Sequence, residues 1–171
     1  HGFDITVLPI DQHGFTSVED LRNAIQPDTF LVSIMYANNE IGVIQPIFEL
    51  AEIAHEYNIL FHTDAVQAAG QLPLDVKNLG VDLMSLSAHK FYGPKGVGLL
   101  YARRNTLAHP HQTGGSQENG LRAGTHNVPL IVGMATALNI VSDRRSQDSS
   151  KMKVLRNQLI KSVLDTIPES L

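Results

Sequence analysis

The chain has 171 residues, 43% of them hydrophobic and 18% charged, a composition that supports one ordinary domain with a real core and argues against disorder. Its 13 basic and 17 acidic residues leave a net charge of −4, and no basic run exceeds the pairs Arg103-Arg104 and Arg144-Arg145, so nucleic acid is a poor partner. No apolar stretch approaches bilayer length, and His1-Gly2-Phe3-Asp4 carries neither a basic region nor an apolar signal core; a soluble, cytoplasmic protein with no membrane partner is expected. Cysteine is absent, which removes disulfides and thiolate metal sites. The opening without methionine reads as a piece of a longer protein.

Apolar runs alternate with helical patterns from the first residues. Ile5 to Ile10 reads as a strand, and Thr16 and Ser17, each followed three residues on by an acid, signal a helix over Val18 to Ile25 that ends at Pro27-Asp28. The continuous apolar run Phe30 to Met35 predicts a strand covered on both faces. The loop Ala37 to Gly42 follows. Pro46 is placed as the first residue of a helix running to about Tyr57, ended by Asn58, with Ile47, Leu50, Ala51 and Ala54 on one face.

Ile59 to Thr63 is read as a short strand leading into Asp64, and Val81 to Ser87 as another leading into His89-Lys90. Val97 to Tyr101 makes one more, paired with its neighbour through the turn Gly93-Pro94-Lys95-Gly96. This alternation predicts an α/β domain with a mainly parallel sheet and flanking helices. Arg103 to Thr125 is a long polar loop with glycines at 114, 115, 120 and 124, of a length that suggests a functional or interfacial role. Pro129 to about Val141 reads as an apolar helix, Ser142 to Ser150 as a polar break, and Met152 to Ile167 as a second helix. The domain expectation is a core over 1–141 and a helical connection over 142–171.

The residues that carry chemistry fall at strand ends, where parallel α/β sheets place their ligands. Asn38 and Asn39 follow one strand, Asp64 and Gln67 the next, and Ser87, His89 and Lys90 the third. An amine delivered to a turn, partly desolvated and beside other cations, has a lowered pKa and can form a Schiff base with a carbonyl, as pyridoxal phosphate requires. A carboxylate such as Asp64 could pair with the pyridine nitrogen, Gln67 and Asn39 could serve the phenolic oxygen, and Ser87 and His89, two apart in extended chain, could face the phosphate together. Each has an ordinary alternative. Asp64 could cap a helix, Gln67 could be a solvated helix residue, Asn38-Asn39 could make a turn, Ser87 could satisfy strand-end backbone, and His62 could be a packed core histidine.

The segments Ser33-Ile34-Met35-Tyr36-Ala37-Asn38-Asn39-Glu40-Ile41-Gly42, His62-Thr63-Asp64-Ala65-Val66-Gln67, Ser87-Ala88-His89-Lys90 with Tyr92-Gly93-Pro94-Lys95-Gly96, and Gly114-Gly115-Ser116-Gln117-Glu118 with Arg122-Ala123-Gly124-Thr125 together resemble the NifS/IscS-type cysteine desulfurases. The match covers nearly the whole chain in order. The resemblance implies the large domain of a fold-type-I enzyme dependent on pyridoxal 5'-phosphate, which takes sulfur from L-cysteine, leaves alanine, and passes the sulfur as a persulfide to acceptor or scaffold proteins for iron–sulfur cluster assembly. It further implies that Lys90 carries the cofactor, that Asp64 holds the pyridine nitrogen, that Gln67 and Asn39 meet the phenolic oxygen, and that Ser87 and His89 hold the phosphate side. Thr125 would reach the phosphate of the partner subunit's cofactor, so a homodimer is implied.

The chain also departs from that pattern. It lacks the family's persulfide cysteine, the upstream phosphate-binding turn, the ring-stacking histidine and the downstream arginine for the substrate carboxylate, and Asn119 stands where the family usually has arginine. A central, incomplete segment is therefore expected, inactive by itself. A selenocysteine lyase or another class-V aminotransferase is the nearest alternative. More distant ones are a metal-dependent hydrolase built on His62, Asp64 and His89, which leaves Lys90, Gln67 and Thr125 without roles, and a non-catalytic dimerisation module.

Overall fold

A computed structural model describes residues 2–106 and 109–170. The elements are α1 (Val18–Ala24), β1 (Leu31–Met35), α2 (Ile47–Glu56), β2 (Leu60–Asp64), β3 (Leu83–Ser87), a 3-10 turn (Ala88–Phe91), β4 (Gly98–Ala102), a second 3-10 turn (Gln117–Gly120) and α3 (Val128–Thr166). The sheet has four strands in the order β1-β2-β3-β4. β1 pairs with β2 and β2 with β3 in parallel, while β4 returns antiparallel to β3, with Ser87 opposite Gly98. The expected α/β layer, mainly parallel sheet and hairpin are thus present.

Local chemistry explains the helix starts. Ser17 caps α1 by accepting from the Asp20 backbone N–H at 3.0 Å, and its hydroxyl donates to the Asp20 carboxylate at 2.6 Å. Pro46 sits one position earlier than expected, as the N-cap of α2 rather than its first residue. Ahead of it, buried Gln45 clamps the incoming loop, donating to the Gly14 carbonyl at 2.7 Å and accepting from the Thr16 N–H at 3.0 Å. Asn58 ends the helix in a left-handed conformation, φ 58°, which asparagine tolerates better than most side chains.

The core lies on one face of the sheet. Ile47, Leu50, Ala51 and Ala54 of α2 join Val32, Phe61, Met84 and Leu86 from alternate strand positions in one buried cluster. Because side chains alternate along a strand, Ser33, His62, Asp64, Ser85 and Ser87 face the other way, where the sheet is only half covered or open. The expectation that Phe30 to Met35 is covered on both faces is therefore corrected. Among the described residues β1 stands at the edge of the sheet, and Val32 is its one buried residue.

Three further expectations change. Residues 5–10 form no strand, since a strand exists only through a ladder and no described neighbour pairs with them. Gln67 is in a hydrogen-bonded turn rather than a helix; Ala68 and Ala69 both donate to the Ala65 carbonyl. No break occurs at 142–150, and α3 is one helix of 39 residues, about 58 Å long at 1.5 Å per residue. That stretch is polar but contains neither proline nor glycine, and it adds a helical-spacing pair, Arg144–Asp148 at 3.4 Å. Polarity marked an exposed helix, not an end. Among the described residues no helix is long and apolar enough to cross a membrane.

At the amino ends of β2 and β3, buried Asp82 forms a clasp. Its Oδ2 accepts from the Phe61 backbone N–H at 2.9 Å and meets His55 Nε2 at 2.8 Å, while Oδ1 lies 3.3 Å from Arg103 Nε. Arg103 also donates to the carbonyls of Gly80 and Val81. Asp82→Ala leaves the Phe61 N–H without its acceptor and removes the carboxylate partner of His55 and Arg103. A loss of about 2–4 kcal/mol is expected, read as a shift of the urea midpoint; a loss below about 0.5 kcal/mol, the usual range for idle surface sites, would show that the clasp carries little.

Candidate active site

Backbone hydrogen bonds draw the carboxyl ends of the strands together. The Tyr36 N–H donates to the Asp64 carbonyl at 2.8 Å, and the Ala65 N–H to the Ser85 carbonyl at 3.1 Å, so the loop after β1, the end of β2 and the end of β3 form one rim. In that loop Asn38 does the turn chemistry, its Oδ1 accepting from the N–H groups of Glu40 and Ile41 at 2.8 and 3.1 Å. Asn39 is exposed beside it, with no side-chain hydrogen bond among the described residues.

Asp64 is the last residue of β2, half-buried. Its Oδ1 accepts from the Val66 N–H at 2.9 Å, and Oδ2 has no partner among the described residues. Gln67 follows in the turn, half-buried. Ser87 Oγ and His89 Nδ1 lie 2.9 Å apart, so the two side chains do face the same way. Lys90 is on the 3-10 turn and exposed, which corrects the expectation of a partly desolvated amine.

The turn that carries Lys90 is tightly built. Tyr92 ends it in a left-handed conformation, φ 65°, and the Gly93 N–H donates to the Ala88 carbonyl at 2.8 Å. A Cβ at Gly93 would come within 2.9 Å of that carbonyl oxygen, so glycine is required there. The turn packs on the one holding Gln67, since a Cβ at Gly70 would lie 3.6 Å from Phe91 Cβ and 3.2 Å from Val141 Cγ2. Between them Lys90, Gly70, Gln71, Val141, Lys151 and Leu155 line a cavity of about 270 Å³. Asp64 and Ser87 lie on the open side of the sheet instead.

Thr125 is exposed in the loop before α3 and makes no hydrogen bond to the strand-end residues among the described ones. Its loop is held by Gln117, whose Oε1 accepts from the Gly124 N–H at 3.1 Å, and by Glu118 and His126 at 3.0 Å. Asn119 is left-handed there, φ 56°. Of the expected long loop, Leu107 and Ala108 lie outside the described residues.

Sequence reasoning missed a bridge across the open face. His62 Nδ1 lies 2.8 Å from Ser33 Oγ and His62 Nε2 lies 2.8 Å from Ser85 Oγ, linking three adjacent strands. Both ring nitrogens are thereby engaged, as expected of a packed histidine and not of a metal ligand. Burial holds this imidazole below its ordinary value, with the Asp64 charge opposing. The spacing of Ser33, His62, Asp64, Ser85 and Ser87 at alternate strand positions was the signal that could have found it.

The residues present fit pyridoxal phosphate by their chemistry. One carboxylate oxygen is anchored and the other free, two amides and a hydroxyl–imidazole pair supply donors, and an amine stands at the rim. The sequence profile described as "Aminotransferase class-V" matches residues 1–171. The chain belongs to the class-V aminotransferase family. Class-V relatives include a cysteine desulfurase IscS of Dictyoglomus turgidum, 54% identical over 162 residues, covering 95% of this chain and 41% of that protein. Among solved structures, a NifS-like protein superposes with a TM-score of 0.92 at 44% identity over 96% of this chain and 46% of the other. One described as SspA in complex with cysteine gives 0.78 at 46% identity over 81% of this chain and 40% of the other. The class-V large-domain fold is thus shared with NifS-like proteins, and the chain spans about two fifths of the length of that IscS relative.

A histidine held neutral by burial sets a sign for pH. The unfolded ring takes up its proton near 6.5 and the folded ring only below that, so the contribution is complete above pH 6.5 and is lost as pH falls through and below it. Thermal melts at pH 7.5 and 5.5 should show a lower Tm in acid, and the drop should be smaller in His62→Gln; equal drops in both proteins would count against this origin.

Proposed function

We propose that this chain is the cofactor-binding core of a pyridoxal 5'-phosphate-dependent cysteine desulfurase, one segment of a longer enzyme that converts L-cysteine to L-alanine and passes the sulfur on as a persulfide for iron–sulfur cluster assembly. The reading is supported by the position of Asp64, the Ser87–His89 pair and the Lys90 turn at or just past the carboxyl ends of the neighbouring parallel strands β2 and β3, in a chain 54% identical to a cysteine desulfurase. The solved relative described as a complex with cysteine, 46% identical, supports L-cysteine as the substrate.

Bound pyridoxal phosphate supplies an electron sink for the substrate carbon. Asp64 would hold the proton on the pyridine nitrogen through Oδ2, with Oδ1 anchored on the Val66 N–H. Asn39 and Gln67 donate to the phenolic oxygen. Ser87 and His89 bind the phosphate as a hydroxyl–imidazole pair, and Thr125 reaches the phosphate in the partner subunit of a homodimer. Lys90 would hold the cofactor through its Nζ, an amine that could also move protons at the substrate. Exposure of Lys90 in this chain suits a group that is enclosed by further segments and by substrate.

The chain holds no cysteine, so the thiolate that attacks the substrate sulfur comes from another segment. Residues 1–141 serve as the core, and 142–171 extend helically towards the small domain. Exposed Leu155, Leu159 and Leu164 on that extension are suited to packing there. A sulfur-acceptor or scaffold protein completes the pathway, in the cytoplasm; the net charge of −4 does not favour nucleic acid.

Two outcomes test the reading. In the full-length enzyme, borohydride should fix the cofactor on Lys90, and Lys90→Ala should cut desulfuration by about a thousandfold or more with the fold retained by circular dichroism; unchanged turnover would refute its role. The isolated chain should release no sulfide from L-cysteine in a methylene-blue assay, and measurable turnover would overturn the segment reading.

A further inference from the structure

Asp64 has an unusual neighbourhood for a carboxylate at a strand end. Ser85 is its Cα partner in the β2–β3 register and points to the same open face, so a serine hydroxyl stands beside Asp64 on the adjacent strand. It is turned away. Ser85 Oγ pairs with His62 Nε2 at 2.8 Å, and the other ring nitrogen is held at 2.8 Å by Ser33, the Cα partner of His62 on β1. Asp64 therefore keeps one oxygen anchored on the Val66 N–H and one free.

We propose that His62 is a positioning residue for Asp64: by capturing the Ser85 hydroxyl it stops that group from occupying the free carboxylate oxygen, and it reserves that oxygen for the cofactor's ring nitrogen. The inference rests on the cofactor reading of Asp64. A hydroxyl donating to Asp64 would disperse its charge and weaken its hold on a protonated ring. A histidine suits the task because its two nitrogens stand on opposite sides of the ring, one towards each neighbouring strand. The role requires the tautomer in which Nε2 accepts from the Ser85 hydroxyl while Nδ1–H donates to Ser33, because only then is the one proton of Ser85 withheld from Asp64; the half-buried ring adds no cation that would compete for Asp64.

Side-chain length supplies the test. A glutamine amide reaches the place of Nε2 and keeps the Ser85 contact; an asparagine amide reaches the place of Nδ1, keeps Ser33, and frees Ser85. In the full-length holoenzyme, His62→Asn should weaken pyridoxal phosphate binding about tenfold, the scale of one hydrogen bond to a charged group, and shift the pH midpoint of the bound cofactor's absorbance. His62→Gln should stay close to the wild type. Adding Ser85→Ala to His62→Asn should restore affinity and midpoint, which a merely structural role would not do, since the double variant loses still more contacts. Wild-type affinity and midpoint in His62→Asn, or no rescue by Ser85→Ala, overturns the proposal while leaving the Asp64 assignment standing. Asp64→Asn, run in parallel, should lose affinity whether or not His62 matters; if it does not, the carboxylate reading fails and this proposal with it.

Discussion

Everything at the carboxyl rim depends on the parallel pairing of β2 with β1 and β3. That register sets Ser33 beside His62 and Ser85 beside Asp64, and the two-residue period of a strand then commits one side of the sheet to packing and the other to polar groups. A slip of one residue in β2 would bury Asp64 and His62 among the side chains that now surround Phe61 and Thr63. The core face opposes such a slip, because Phe61 and Thr63 are fully enclosed and the Thr63 hydroxyl donates to the Ile34 carbonyl at 2.9 Å.

The two ends of the sheet carry different kinds of polar chemistry. At the amino end Asp82 spends its oxygens on the Phe61 N–H, His55 and Arg103, and such a satisfied carboxylate has little left for a ligand. At the carboxyl end Asp64 is only half-committed, Asn39 and Gln67 have no side-chain partners among the described residues, and Lys90 is exposed on a turn held by a left-handed Tyr92. Unspent hydrogen-bonding capacity and backbone strain gathered at one end are what a pre-formed binding rim requires. The same contrast separates two aspartates of one sheet, Asp82 satisfied just ahead of β3 and Asp64 half-committed at the end of β2.

Much of this was legible in the chain. Ser17, three residues ahead of Asp20, marked the start of α1, Asn58 the end of α2, and the glycine turn at 93–96 the hairpin. The Asn39, Asp64, Ser87 and Lys90 segments carried the family resemblance in order. What failed did so for identifiable reasons. Residues 5–10 have strand composition, but a ladder needs a partner that local sequence does not show. Ser142 to Ser150 looked like a break because it is polar, although it lacks proline and glycine and its Arg144–Asp148 pair supports a helix. Lys90 was expected to be desolvated, but burial is a property of what packs over a residue, not of its neighbours in sequence.

The amino-acid sequence by itself determined which segments are strands and helices where period, caps and turn residues agree, and which residue types stand at the strand ends, because these depend on interactions within a few positions along the chain. Only the tertiary structure decided that β1 stands at the edge of the described sheet, and that Ser33 and Ser85 close on His62 from opposite sides while one Asp64 oxygen has no partner among the described residues. Those outcomes rest on contacts between residues 20 to 30 positions apart, whose partners are chosen by the packing of the sheet and are not encoded in any single local stretch.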